Sequence, residues 1–295
     1  MTRGISIATA EHPAAVRQRL TEEILQLKRE GLDVSLSETI RGNLTLLGCD
    51  INGRTRLPPG EAQLVLRYFI ANALADVIVN HWEESLVREL VREECRHFTG
   101  EERKEIAEIV LRRLGETWNT SQASPHLRRR AQIVEKLLEY LETSHFLVLE
   151  GFIRFRLGEY REELRELVSR AADDFVVEKE YQEFIRLLRY FVDLQGPQLP
   201  EVQVVLNDGD RFELFDGENK ALRKESLPER SQLLGEEELN HGDILISTLI
   251  ALSPTHITLH RASSRVTPEL TDTIKDVFAG RVDFCPGCPL CRPKD

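Results

Sequence analysis

Between Pro58-Pro59-Gly60 and Gly196-Pro197 the chain keeps a helical hydrophobic period for over 130 residues, and no fold that lacks a large helical component can satisfy it. The stripe opens with Leu66, Phe69, Ile70, Ala73, Leu74 and Val77, spaced so that one helix face is apolar. Thr99 precedes Glu102 by three residues, the spacing at which two side chains cap each other's backbone N–H, and a helix through Ile106, Ile109, Val110 and Leu114 follows. Ser124-Pro125 marks another start, because serine accepts an orphan N–H and proline presets φ. That helix carries Val134, Leu137, Leu138 and Leu141, and the spacing predicts further helices over 145–157 and 159–194.

The flanks have a different period. Residues 4–9 read as a strand, 13–30 as a helix with Val16, Leu20, Ile24 and Leu27 on one stripe, and 34–40 and 44–51 as strands about Arg41-Gly42-Asn43. After Gly196 the pattern shortens again. Strands are predicted at 202–206 and 212–215 about Asn207-Asp208-Gly209-Asp210, then a helix at 243–252, a strand at 256–260, a helix at 268–279 and a strand at 282–284. The predicted class is α+β: a small N-terminal βαββ unit (1–59), a predominantly helical domain (60–196) and a small C-terminal α/β module (197–295) ending in a cysteine-rich loop. There is no internal repeat.

Against 39 Lys and Arg the chain has 50 Asp and Glu, a net charge of −11 that repels phosphate backbones, so nucleic acid is not the expected partner. The first ten residues lack the long apolar core of a signal peptide. The apolar run 244–252 is interrupted by Ser247 and Thr248 and is too short to span a bilayer. Five cysteines in 295 residues, three of them crowded at one end, do not form a disulfide framework. A reducing cytoplasm is the compartment these features suit.

Cys285-Pro286-Gly287-Cys288-Pro289-Leu290-Cys291 is the one concentration of candidate chemistry. Three thiols within seven residues suit a soft metal, either zinc or an iron–sulfur cluster, and two prolines stiffen the loop. Redox exchange through a Cys-x-x-Cys pair and plain unliganded thiols are the alternatives. The spacing equals the first three cysteines of a bacterial ferredoxin run, but the fourth cysteine is absent. A fourth ligand must come from elsewhere, and Cys49, Cys95, His97, His241, His256 and His260 are the candidates.

Other patterns have plainer readings. On a strand His256 and His260 share a face but stand about 13 Å apart, too far to hold one ion together, so both read as surface or interface histidines. Cys95-Arg96-His97 places thiol and imidazole on adjacent helix positions, which do not face each other. Asp208 and Asp210 begin like a calcium loop, but Phe212 stands where the next acceptor belongs. Arg128, Arg129, Arg130, Arg154 and Arg156 lie among acids and read as ion-pair partners. Phe152, Phe155, Tyr160, Phe175, Tyr181, Phe184, Tyr190 and Phe191 concentrate aromatics in a chain that has few; they read as helix-packing residues, and any exposed part of the set would be a partner surface. The common phosphate-loop, dinucleotide, serine-hydrolase and zinc-protease motifs do not occur.

The blocks His145-Phe146-Leu147-Val148-Leu149-Glu150-Gly151-Phe152-Ile153-Arg154-Phe155-Arg156 and 175–192, with its ordered aromatics and charges, resemble the YtxC family of sporulation proteins. The resemblance extends over most of the chain and is strongest from 145 onward. It implies a role in spore-forming bacteria and assigns neither a reaction nor any functional residue. The expected function is therefore a non-catalytic, sporulation-associated cytoplasmic protein that works through a protein partner, with metal binding or thiol redox chemistry at Cys285, Cys288 and Cys291 as the alternative.

Overall fold

Two four-stranded mixed sheets, one near each end of the sequence, organise the chain. A computed structural model describes residues 4–52, 57–116, 125–207, 211–222, 241–261 and 267–291. The chain forms two compact units, Met1–Phe175 and Val176–Asp295. The class is α+β with a helical middle, as predicted. The capping residue Ser124 and the turn residues Asp208–Asp210, with the calcium-like pattern they carry, lie outside the described residues.

In the first unit, strand β1 (Ile5–Thr9) leads to helix α1 (Pro13–Arg29), then to the hairpin of β2 (Val34–Arg41) and β3 (Leu44–Ile51). Gly42 takes a φ of 63° at the hairpin turn, a conformation that costs glycine nothing. β1 pairs antiparallel with β3, Ile7 opposite Leu47. Helices α2 (Pro59–Val77), α3 (Glu83–Glu94), α4 (Gly100–Glu116) and α5 (Pro125–Thr143) follow, with one π-helical turn, Ile78–Trp82, joining α2 to α3. The predicted capping box forms: Thr99 N–H donates to Glu102 Oε2 at 2.7 Å, and Glu102 N–H to Thr99 Oγ1 at 3.3 Å. The change from strands to helices near residue 59 occurs inside one continuous core, in which Ile5, Ile7, Leu20 and Leu47 cluster with Leu66, Leu74, Leu90, Ile106 and Leu137.

The predicted helix over 145–157 is interrupted. Phe146–Val148 is strand β4, and helix α6 covers only Leu149–Arg156. β4 lies parallel to β1, with Leu147 opposite Ile7 and fully buried, and completes the sheet in the order β2-β3-β1-β4. Glu150, in the first turn of α6, fixes this long-range pairing. Its Oε1 accepts from the Thr9 hydroxyl at 2.8 Å and from the N–H groups of Ala10 at 2.8 Å and Glu11 at 3.0 Å. Burial pushes the Glu150 carboxyl pKa up, but these donors outweigh it and hold the pKa below the ordinary carboxylate value. A depressed folded-state pKa stabilises above the unfolded value and loses its effect as pH falls through the folded one. Glu150→Gln is therefore expected to cost the first unit about 1 kcal/mol at neutral pH, after discounting for partial exposure, with the difference from wild type shrinking below about pH 4. Denaturant midpoints across pH check this.

One described helical stretch, Gly60–Glu94, has the length and composition to cross a membrane, which the shorter apolar run 244–252 lacks. It serves as a core element: Leu66, Ile70, Ala73, Leu74, Ile78 and Val87 along it are buried against the rest of the first unit.

Helix α7 (Gly158–Gln195) gives Leu164, Val168 and Ala171 to the first core and Ile185 and Val192 to the second. In the second unit, β5 (Leu199–Leu206), β6 (Phe212–Asp216), β7 (Pro254–Arg261) and β8 (Val282–Phe284) form a sheet in the order β6-β5-β7-β8. Only β6 runs antiparallel, through its hairpin with β5; β7 and β8 are each parallel to their neighbours. Parallel neighbours need crossovers, and helices α8 (His241–Leu252) and α9 (Pro268–Val277) lie in the β5–β7 and β7–β8 connections. Val202, Val204, Ile257 and Leu259 on one sheet face pack with Leu245 and Leu249 of α8 and Ile274 of α9.

Candidate metal centre

Strand β7 presents its residues alternately to two faces. Ile257 and Leu259 enter the core, so His256, Thr258 and His260 point to the opposite face. β8 pairs with β7 in the register Ile257 with Val282 and Leu259 with Phe284, and the ladder extends one bond further: Cys285 N–H donates to the Leu259 carbonyl at 3.0 Å. That bond delivers Cys285 beside His260. The chain then reverses at Gly287, whose φ of 129° disfavours any side chain. A short 3₁₀ turn, Pro289–Cys291, closed by Cys291 N–H to the Cys288 carbonyl at 3.0 Å, brings the last two thiols back to the same point.

The outcome is a four-donor cluster. Cys288 Sγ lies 3.2 Å from His260 Nδ1, Cys291 Sγ lies 3.5 Å from the same nitrogen, and the two sulfurs are 3.9 Å apart. One ligand atom from each of His260, Cys285, Cys288 and Cys291 falls within 4.8 Å of every other. A tetrahedral zinc ion with bonds of about 2.3 Å to sulfur and about 2.0 Å to nitrogen sets its donors roughly 3.5 to 3.8 Å apart. The separations among His260, Cys288 and Cys291, 3.2 to 3.9 Å, bracket that range, and the Cys285 donor lies within 4.8 Å of each. A cubane would need its thiolates spread over separate irons.

The electrostatics favour ligation. Burial lowers the His260 pKa against the opposing charge of Glu201, keeping the imidazole in the neutral form that binds metals. Burial alone would raise the Cys288 pKa, but the N–H groups of Leu290 and Cys291 and the neighbouring thiols outweigh it and bring it below the ordinary thiol value. At Cys285 the Gly287 N–H, 3.5 Å from Sγ, pulls downward, yet burial and the two adjacent thiols leave the pKa raised. Three thiols sharing one small volume cannot all ionise cheaply without a cation among them.

His260 is 3% exposed, which overturns its reading as a surface histidine. The strand geometry was right, and only one of the two histidines reaches the thiols: His256 pairs instead with Asp283 at 3.5 Å. The loop after β8 folds back over the face at His260, a closure that local spacing does not reveal. Cys49 and Cys95 are buried in the first unit's core; burial pushes the Cys49 thiol up to about 12 and raises that of Cys95. His97 stacks on Phe98 with ring centroids 4.1 Å apart.

Residues 68–283 match the YtxC-like family. The chain belongs to this family. A curated relative, the uncharacterized protein YtxC of Bacillus subtilis (strain 168), is 28% identical over 162 residues, which is 54% of this chain and 56% of that protein; the match thus spans about half the length of each. No solved structure matches. The family match includes His260 and ends before Cys285, so the donor set rests on the geometry and not on the family.

The remaining motifs divide between structure and surface. Arg129 pairs with Glu83 at 3.0 Å; Arg130 pairs with Asp76 and donates to Asn72 at 3.0 Å. Arg154 lies over the Phe155 ring and Arg156 over the Tyr140 ring. Phe152 and Tyr160 are buried, and Phe175 and Tyr181 partly so. Phe155, Phe184, Tyr190 and Phe191 are exposed, the alternative to packing for this part of the set.

Proposed function

We propose that this chain carries a mononuclear metal centre, zinc in a Cys₃His site made by Cys285, Cys288, Cys291 and His260, and that the ion is structural. The convergence of four donors within 4.8 Å, from a strand and a loop 25 residues or more apart in sequence, carries this reading. Four protein donors leave no open position for a substrate, which is the mark of a structural rather than a catalytic zinc site. The ion would fasten β8 and the loop after it to β7, adding to the short ladder between the two strands. A reducing cytoplasm would keep the thiols available for it.

The test is elemental analysis of protein purified without chelator. One zinc per chain is expected, lost in Cys288→Ser and in His260→Ala. Cobalt substitution should give the visible bands of a tetrahedral thiolate site. Stoichiometric iron with acid-labile sulfide would replace the mononuclear reading with a cluster, and the absence of any metal would end it.

A second reading concerns the whole chain. The large apolar side chains exposed along α7, among them Phe184, Leu187 and Phe191, favour a role exercised through protein contacts, in the sporulation setting that the family resemblance implies. In a spore-forming host lacking the protein, Leu187→Glu is expected to fail to restore its function. Full restoration would defeat this second reading.

A further inference from the structure

Between helices α3 and α4 of the first unit lies a cleft of about 340 Å³, within the range of small-molecule sites. Val91 and Ala107, 1% and 2% exposed, form its floor. Arg88 and Arg92 of α3 and Arg103 and Lys104 of α4 line it too, and no acidic side chain among the described residues does. Helical spacing assembles the set: residues 88, 91 and 92 share one face of α3, and 103, 104 and 107 share one face of α4. In a chain with 50 acids to 39 bases, an all-cationic cleft reverses the sign of the overall field.

The protein's own acids do not neutralise these cations. Arg92 has no hydrogen-bond or ion-pair partner among the described residues, and Glu89, one turn before it, pairs with Arg161 at 3.3 Å. Arg88 stands four residues from Arg92, a like-charge spacing that costs stability unless an anion lies between them. Arg103 is half-buried and held by its Nε, which donates to the Thr99 carbonyl at 3.3 Å and leaves the two terminal nitrogens without a partner among the described residues. Arg88 and Lys104 pair with Glu84 at 2.9 Å and Glu101 at 2.8 Å, but both pairs are exposed and weak enough to share an incoming anion. Setting those two carboxylates against the four cations leaves two positive charges. We propose that this cleft binds a small phosphate monoester with an apolar body. Such a group carries about −1.5 to −2 charges at neutral pH, and its oxygens suit the forked donors of guanidinium groups. Val91 and Ala107 offer the body a floor shielded from water. A carboxylate brings one charge only, and inorganic phosphate would leave the floor unused.

Titration calorimetry of the full chain in phosphate-free buffer, with phenyl phosphate as the probe, is expected to give a sub-millimolar dissociation constant. Arg92→Ala should weaken binding at least tenfold without lowering the unfolding midpoint, since Arg92 is exposed and supports no other described residue. Adding Lys104→Ala should abolish it. Arg17→Ala, which removes an exposed arginine outside the cleft, should leave binding unchanged. Benzoate and inorganic phosphate should each bind at least tenfold more weakly than phenyl phosphate, one for want of charge and the other for want of a body. No binding of phenyl phosphate at about 10 mM, undiminished binding in Arg92→Ala, or equal affinity for inorganic phosphate overturns the proposal. Phosphatidic acid presents the same group on a membrane, and vesicles containing it should not pellet the protein. Pelleting that Arg92→Ala abolishes would overturn the soluble ligand in favour of a lipid headgroup.

Discussion

Removal of the zinc proposed at Cys285, Cys288, Cys291 and His260 is expected to destabilise the second unit far more than any single core substitution. A structural zinc site contributes apparent free energies on the order of 10 kcal/mol or more in small domains, because the unfolded chain has no preformed site to offer the ion. The proposed site would close a three-residue strand, Val282–Phe284, and the loop that follows it. Without the ion, the short parallel ladder to β7, the His256–Asp283 pair, Lys275 over the Phe284 ring and the tight turn at Cys288 would have to hold this end. Hydrogen exchange across β7 and β8 is expected to accelerate on chelation and to return to its original rate when zinc is restored. Trp82 is buried in the first unit's core, so its fluorescence reports that unit. A tryptophan transition that stays in place while exchange in β7 and β8 collapses would locate the ion's effect; unchanged exchange would show that the loop folds without metal. Cys285→Ser should act in the same direction as chelation, leaving three donors and a site that zinc occupies weakly.

Local pattern carried most of the element boundaries. The hairpin at Gly42, the capping box at Thr99 and Glu102, and the stops at Gly196 and Pro197 each depend on residues within a turn of one another, and each stands where the sequence places it. β4 was missed for the opposite reason. His145-Phe146-Leu147-Val148 is a short apolar run with no period of its own, and it becomes a strand because β1, some 140 residues earlier, offers an edge. The same distinction governs the site. Three cysteines in seven residues suggest a soft-metal loop, but that His260 rather than five other candidates lies beside them depends on the β7–β8 register, which no spacing rule contains. The aromatic-rich block divides between packing and exposure. α7 is apolar on two faces, and a helical period cannot say which of them packs in a core and which stays exposed among the described residues.

Replacing Arg129 alone by methionine is expected to cost the first unit about 3 to 5 kcal/mol, a large share of the stability of an ordinary domain. Glu83 and Arg129 are 8% and 5% exposed, with Arg129 Nε donating to Glu83 Oε1 at 3.0 Å. The Tyr160 hydroxyl donates to the same oxygen at 2.9 Å, and burial beside the Glu83 charge holds the Tyr160 pKa well above its ordinary value, so the phenol stays a donor. The triad bonds α3 to α5 and α7 through the interior, where water cannot take the place of a lost partner. Removing the guanidinium leaves a buried carboxylate with one neutral donor. Replacing both charges, as Glu83→Leu with Arg129→Met, removes that uncompensated charge and should recover most of the loss. Tyr160→Phe should cost less, about 1.5 to 3 kcal/mol, because Glu83 keeps its cation. Denaturant unfolding followed by tryptophan fluorescence measures all three. If the double substitution proves as unstable as Arg129→Met alone, the energy lies in shape and packing at this crossing, and the charge pair is incidental to it.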